Sequence, residues 1–183
     1  MTNIAIIGAT GNVGRKTLEV IEKKDIKFDN IFLVASSNSA GKKISFMGKD
    51  YEVYDLEKYD FSKANITFFA AGGKIAEQYA EKAAKFTTVI DNSSFFRMDP
   101  DVPLIVPQVN ADKISEMKKN IVANPNCSTA QLVIALKPLH DLYNIRRVVV
   151  STYQSVSGGG KAPMDELVAV SYTHLTLPTS HNV

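Results

Sequence analysis

Short, unbroken apolar runs alternate with stretches of helical periodicity along most of the chain. "NIAII" (3–7) reads as a buried strand and is followed by a glycine turn. "VGRKTLEVIEKK" (13–24) sets Val13, Leu18, Val20 and Ile21 among charges and reads as a helix. "NIFLVAS" (30–36) is a second buried strand. "KISFMGKDYEVYDL" predicts two small strands turning at Met47-Gly48. "ITFFAA" (66–71) is a core strand leading into the helix "GGKIAEQYAEKAAKF", and "TTVIDNSS" is another strand. "DPDVPLIVPQVN" holds three prolines and predicts a mostly extended loop. "NIVANPN" is a further strand. "STAQLVIALKPLHDL" is a helix with Pro138 near its end, and "RRVVVSTYQSVSGGG" reads as a long strand running into a glycine loop.

Continuous apolar strands separated by helices imply a parallel sheet covered on both faces. The predicted fold class is α/β: a doubly wound, mostly parallel Rossmann-like sheet, with the start of a second α+β domain. The expected boundaries are 1–126 for the dinucleotide-binding domain and 127–170 for the beginning of a catalytic and dimerisation domain.

Composition narrows the picture. With 183 residues and 45% apolar positions, the chain can bury a real core. A net charge of +2 gives no global field for nucleic acid or an anionic membrane, so any anion recognition is local. No apolar run reaches the ~18 residues that suggest a membrane span. "MTNIAIIGATG" lacks a basic n-region, so it is not read as a signal peptide. A single cysteine excludes an intrachain disulfide and fits a reducing compartment. A soluble, cytoplasmic protein is expected, without a metal site.

"GATGNVG" places Gly8, Gly11 and Gly14 between the first strand and the first helix. The spacing G-x-x-G-x-x-G is a relative of the dinucleotide fingerprint G-x-G-x-x-G, and the physical need is similar. A tight turn brings backbone N–H groups to a pyrophosphate at a helix N-terminus, where the dipole favours negative charge. After the second strand, "VASSNSAGKK" (34–43) lacks the acidic residue that binds an NAD ribose. Its hydroxyls, amide and lysines suit a 2′-phosphate, so NADP is expected.

"NPNCST" (124–129) contains Cys127. It follows a predicted parallel strand, where ligands bind in open α/β sheets. It opens a predicted helix, whose dipole favours a thiolate. Asn124, Asn126, Ser128 and Thr129 make a polar setting, unusual for a packing cysteine. A nucleotide fold with a helix-terminal thiol points to oxidation or reduction of a carbonyl through a thioester.

With these segments together, the chain resembles the N-terminal part of the aspartate-β-semialdehyde dehydrogenase family. The resemblance rests on "GATGNVG", "SSNSAGKK", "DNSSFFRMDPDVPLIVPQVN", "NPNCST" and "STYQSVSGGGKAPMDEL", in order from residue 4 to about 169. Glyceraldehyde-3-phosphate and N-acetylglutamyl-phosphate reducing enzymes share the plan but surround their cysteine differently. The resemblance implies that Gly8, Thr10, Gly11, Asn12 and Val13 serve the NADP phosphates. Ser36, Asn38 and Ser39 lie near its 2′-phosphate, although Asn38 stands where the family often has Arg. Ser157 and Gly158 also meet the cofactor. Cys127 is the nucleophile and Gln154 positions the substrate. Arg97 holds the phosphate as a two-point fork, helped by Asn126. The implied reaction takes β-aspartyl phosphate to aspartate semialdehyde and serves lysine, threonine, methionine and diaminopimelate biosynthesis. The complete enzyme is expected to be a homodimer acting on a small-molecule substrate and phosphate.

The family's acid/base histidine and substrate-clamping arginine lie in a second half that this chain lacks. His140 reads as a surface or helix-capping residue. "SYTHLTLPTSHNV" (171–183) matches nothing expected there and reads as a non-native tail, so His174 and His181 carry no role. The 183-residue chain is therefore expected to be inactive alone. Two other readings stay open: a related acyl-phosphate or acyl-CoA reductase of the N-acetylglutamyl-phosphate or malonyl-CoA type, and a non-catalytic NADP-binding module.

Overall fold

The computed structural model describes residues 2–175. The chain divides into two compact units, Met1–Val148 and Val149–Val183.

The first unit is built on a seven-stranded sheet: β1 (Asn3–Ile7), β2 (Asn30–Ala35), β3 (Lys43–Phe46), β4 (Lys49–Asp55), β5 (Ile66–Phe69), β6 (Thr88–Asp91) and β7 (Ile121–Ala123). The order across the sheet is β3-β4-β2-β1-β5-β6-β7. All pairings are parallel except β3 with β4. That hairpin turns at Met47 and Gly48, both at positive φ (50° and 73°), as a two-residue turn matched to strand twist requires.

Helix α1 (Asn12–Lys23) buries Leu18 and Ile21 on one sheet face, against Ile4, Ile6, Ile31 and Leu33. Helix α2 (Gly73–Ala83) packs on the other face through Ala76, Ala80 and Ala83, beside Ile7, Val34, Phe69 and Val89. Alternate strand residues thus feed opposite cores, which defines double winding. A single methyl at each α2 contact lets that helix lie close to the strands.

The register aligns one row of residues near the carboxyl edge of the sheet. Val34 pairs with Ile7, Ile7 with Phe69, Phe69 with Asp91, and Asp91 with Ala123. From β1 the chain proceeds first to β2 on one side and later to β5 on the other. The crevice between β1 and β5 is therefore the topological switch point.

Two expectations need correction. The proline-rich segment is not wholly extended: α3 (Pro107–Asn110) is a short helix with proline at its start, where the missing N–H costs nothing. Just before it, the Ile105 N–H donates to the Ala123 carbonyl (2.9 Å) and the Ala123 N–H to the Pro103 carbonyl (3.0 Å), extending the sheet at its β7 edge. The second correction concerns the strand expected at Arg146–Tyr153. Among the described residues this stretch pairs with no strand, and Val148, Val149, Val150 and Tyr153 are exposed. A run of β-branched residues signals side chains suited to a half-buried pleat, but a strand forms only where another strand takes its backbone donors and acceptors.

Helix α4 (Cys127–Tyr143) belongs to the first unit and carries Pro138 inside it. It has no fully buried residue, and Ile134, Leu139, Leu142 and Tyr143 are exposed. His140 is exposed in its last turn, and the His140 carbonyl accepts the N–H of left-handed Asn144 (2.8 Å). In the second unit, a 3-10 turn at Val156–Gly159 precedes helix α5 (Lys161–Leu175). Of the tail at 171–183, residues 171–175 continue that helix and 176–183 lie outside the described residues.

Candidate active site

Four of the segments singled out in the sequence, all in the first unit, emerge from one edge of the sheet. Gly8 follows Ile7, Ser36 follows Ala35, Asn92 follows Asp91 and Asn124 follows Ala123. Backbone bonds continue the ladders past the strand ends: Gly8 N–H to Val34 O (2.8 Å), Ala70 N–H to Ile7 O (2.9 Å), Asn92 N–H to Phe69 O (3.0 Å) and Asn124 N–H to Asp91 O (2.8 Å).

The glycine turn is close-packed backbone. Gly8 has φ +85°, and a Cβ there would stand 2.8 Å from the Ala70 carbonyl oxygen. A Cβ on Gly14 would stand 2.3 Å from the Gly8 oxygen and 2.7 Å from the Ala9 Cα. Helix α1 therefore starts hard against the turn, at the switch point. Its N-cap is Gly11, which supplies no side-chain hydrogen bond. Capping side chains normally satisfy the first N–H groups of a helix. The start of α1 thus carries no side-chain cap, and a helix N-terminus of that kind suits a phosphate. Thr10 is half-buried, and Gly11, Asn12 and Val13 are exposed. Ser37–Ser39 form a 3-10 turn beyond β2, with Ser36 and Asn38 exposed and Ser39 half-buried.

Cys127 is exposed as the first residue of α4 and is in no disulfide. Its helix is capped by Asn126, whose Oδ1 accepts the Ser128 N–H at 2.9 Å. The Asn126 side chain thus has a local role besides the expected aid to an oxyanion. It fixes how the chain enters the turn that carries the thiol.

Arg97 lies in the 3-10 turn Phe95–Met98, anchored by buried Phe96. Its Nε donates to the Asn124 carbonyl at 2.9 Å and its Nη2 to the Asn92 carbonyl at 3.4 Å. The guanidinium is thereby fastened to the segment that carries Cys127. Sequence reasoning missed the groups behind this. The Asp91 side chain is buried and accepts both the Ser93 N–H (3.0 Å) and the Ser93 hydroxyl (2.7 Å). Ser93 Oγ in turn accepts the Phe95 N–H (3.1 Å). Burial pushes the Asp91 carboxyl above its ordinary value, against the opposing pull of the Ser93 bonds and the Arg97 charge. The sequence did carry a signal: an acidic residue closing an apolar strand, with serine two positions on, is an Asx-turn pattern.

Gln154, Ser157 and Gly158 lie in the second unit, all exposed. A Cβ on Gly158 would stand 2.5 Å from Gln154 Nε2, so the carboxamide rests directly on that glycine. Ser155 Oγ and Ser157 Oγ are 2.8 Å apart.

A doubly wound sheet, a glycine turn at its switch point and an uncapped helix N-terminus define a dinucleotide-binding α/β domain. Comparison with known proteins then narrows the class. The family described as "Semialdehyde dehydrogenase, NAD binding domain" matches residues 3–117, and "Semialdehyde dehydrogenase, dimerisation domain" matches residues 136–182. The chain belongs to the semialdehyde dehydrogenase family. It is 50% identical over 167 residues to aspartate-semialdehyde dehydrogenase 2 of Vibrio cholerae, covering 90% of this chain and 50% of that one. It is 51% identical to aspartate-semialdehyde dehydrogenase of Aquifex aeolicus, covering 90% and 49%. The crystal structure of the Vibrio cholerae enzyme II complexed with ASA superposes with TM-score 0.90 at 47% identity, covering 96% of this chain and 53% of that one. The Candida albicans enzyme with NADP gives 0.60 at 28% identity, covering 79% and 48%. The chain spans about half the length of the curated relatives it matches.

Proposed function

We propose that this chain is the cofactor-binding and nucleophile-bearing half of an NADP-dependent aspartate-semialdehyde dehydrogenase. The observation that carries the reading is the fastening of Arg97 to the Asn124 carbonyl, three residues before Cys127. It ties an anion-binding fork to the segment holding a helix-terminal thiol.

Gly8, Gly11 and the first-turn N–H groups of α1, with Thr10, Asn12 and Val13, hold the dinucleotide pyrophosphate. Ser36, Asn38 and Ser39 meet the 2′-phosphate. Bound NADPH supplies a hydride. The Cys127 thiolate attacks the acyl carbon of β-aspartyl phosphate, forming the C–S bond as the C–O bond to phosphate breaks. Arg97 takes the negative charge of the departing phosphate, helped by Asn126. Gln154 orients the acyl group, and Ser157 and Gly158 border the cofactor. The second half contributes the proton-transferring group and buries the exposed apolar side chains of α4 and 148–150 in a homodimer. The setting is cytoplasmic amino-acid biosynthesis; among the described residues no helix is long and apolar enough to cross a membrane.

The test is NADP reduction with aspartate semialdehyde and phosphate, by the chain alone and joined to the C-terminal half of a relative. Turnover is expected only in the joined protein and lost on Cys127→Ala. Turnover by the chain alone, or survival of activity without the thiol, overturns the reading.

A further inference from the structure

The two carbonyls that grip Arg97 belong to Asn92 and Asn124, the first residues beyond β6 and β7. Nε and Nη2 lie along one side of the planar guanidinium, so these carbonyls occupy its side-on edge. That arrangement leaves the end-on edge, formed by Nη1 and Nη2, as the fork presented to a ligand. The direction of that fork depends on where the two carbonyls stand.

Their placement is fixed by the same two residues' side chains. Asn124 Nδ2 donates to Asn92 Oδ1 at 2.6 Å, tying the ends of neighbouring strands to each other. The main chain reinforces the tie. The Asn124 N–H donates to Asp91 O (2.8 Å), and Asp91 holds Ser93, which accepts from Phe95 at the start of the turn carrying Arg97. The arginine is thus held at its backbone by the Asp91–Ser93 turn and at its head by the paired asparagines.

We infer that Asn92 and Asn124 are positioning residues for Arg97: their amide pair sets two backbone carbonyls that aim the end-on edge of the guanidinium at a tetrahedral oxyanion. The inference rests on the reading that Arg97 receives phosphate. Neither amide touches the anion, and both act through the arginine. Without the pair, the carbonyls separate, the side-on anchors loosen, and the fork no longer meets two oxygens at once. Dinucleotide binding is spared, because the glycine turn follows β1, two strands from β6.

Two measurements on the full chain test this. The first is ¹⁵N relaxation of the Arg97 Nε–H, which reports how tightly the head group is held. The second is a ³¹P titration with inorganic phosphate. Asn92→Ala and Asn124→Ala should each make Nε mobile and weaken phosphate binding about tenfold, the scale of one hydrogen bond to a charged group. The double variant should lose no more than either single, because both remove one bond, and neither should add to Arg97→Ala. NADPH affinity, measured alongside, should stay unchanged, which also shows that the variants fold. Asn92→Asp keeps the acceptor for Asn124 and should keep Nε rigid. A rigid Arg97 Nε in both alanine variants overturns the positioning role and leaves the phosphate reading standing. Unchanged phosphate affinity in Arg97→Ala overturns the phosphate reading, and the inference with it.

Discussion

Gly14→Ala puts a methyl group where α1 meets the glycine turn, and the structure sets its cost. The new Cβ would stand 2.3 Å from the Gly8 oxygen, 2.7 Å from the Ala9 Cα and 2.9 Å from the Gly8 carbonyl carbon. All three are main-chain atoms, so no rotamer relieves the contact, and the helix or the turn must move by about an ångström to reach ordinary carbon–oxygen separation. Alanine in a helix is otherwise favoured over glycine by about 1 kcal/mol. Overpacking typically costs about 1–3 kcal/mol, and here it falls on backbone at its upper end. The net expectation is about 2 kcal/mol of destabilisation, or a drop of roughly 4–8 °C in Tm for a chain of this size. NADPH affinity should fall further than stability, because the displaced N–H groups are the ones proposed to hold the phosphates. Gly11→Ala is the control for stability alone: φ there is −79° and the nearest atom to its Cβ is the Gly8 oxygen at 3.3 Å, so little stability should be lost. Thermal melts and NADPH calorimetry on both variants are the assay. A Gly14→Ala protein that melts and binds like the parent would refute the close-packed turn as the basis of cofactor binding.

Other outcomes follow from the same geometry. Asp91 has a carboxyl raised by burial, so its proton-bound form favours the fold: that contribution is full below the unfolded value, about 3.9, and is lost as pH rises through the folded value. Urea midpoints of Asp91→Asn relative to the parent should therefore climb from pH 4 upward, and a flat or falling difference would show that burial does not dominate. Arg97→Lys in the joined enzyme should raise KM for phosphate about tenfold or more while leaving that for NADP alone, since lysine keeps the charge and loses the planar fork. The opposite split would assign Arg97 to the cofactor. Gly158→Ala should push the Gln154 carboxamide aside and lower kcat by up to about 10²-fold without changing Tm. Unaltered kcat would remove Gln154 from the reaction.

How much was legible in the sequence varies by kind of signal. The strands β1, β2, β5 and β6 are near-continuous apolar runs, and burial on both faces requires that pattern, so their order and the parallel sheet follow directly. The Met47-Gly48 turn was legible because two residues between alternating strands leave few backbone options. Arg146–Tyr153 carries the same β-branched pattern yet pairs with nothing described, because composition records what a side chain suits and not which backbone lies beside it. The helix starts at Asn12 and Cys127 were legible because the glycine turn and the polar NPNCST segment mark them locally. Asn92 and Asn124 were missed because their link joins residues 32 positions apart. Only the β6–β7 register brings them together.

In the proposed reaction Cys127 accepts an acyl group from an acyl phosphate. The most direct measurement is intact-mass and peptide mapping of the chain joined to its C-terminal half, incubated with β-aspartyl phosphate without NADPH, with released phosphate counted. One aspartyl group per chain is expected, as a hydroxylamine-labile thioester on the Cys127 peptide, with one phosphate released alongside it and discharge on adding NADPH. An unmodified Cys127 with phosphate released, or an aspartyl group on any other residue, would contradict it.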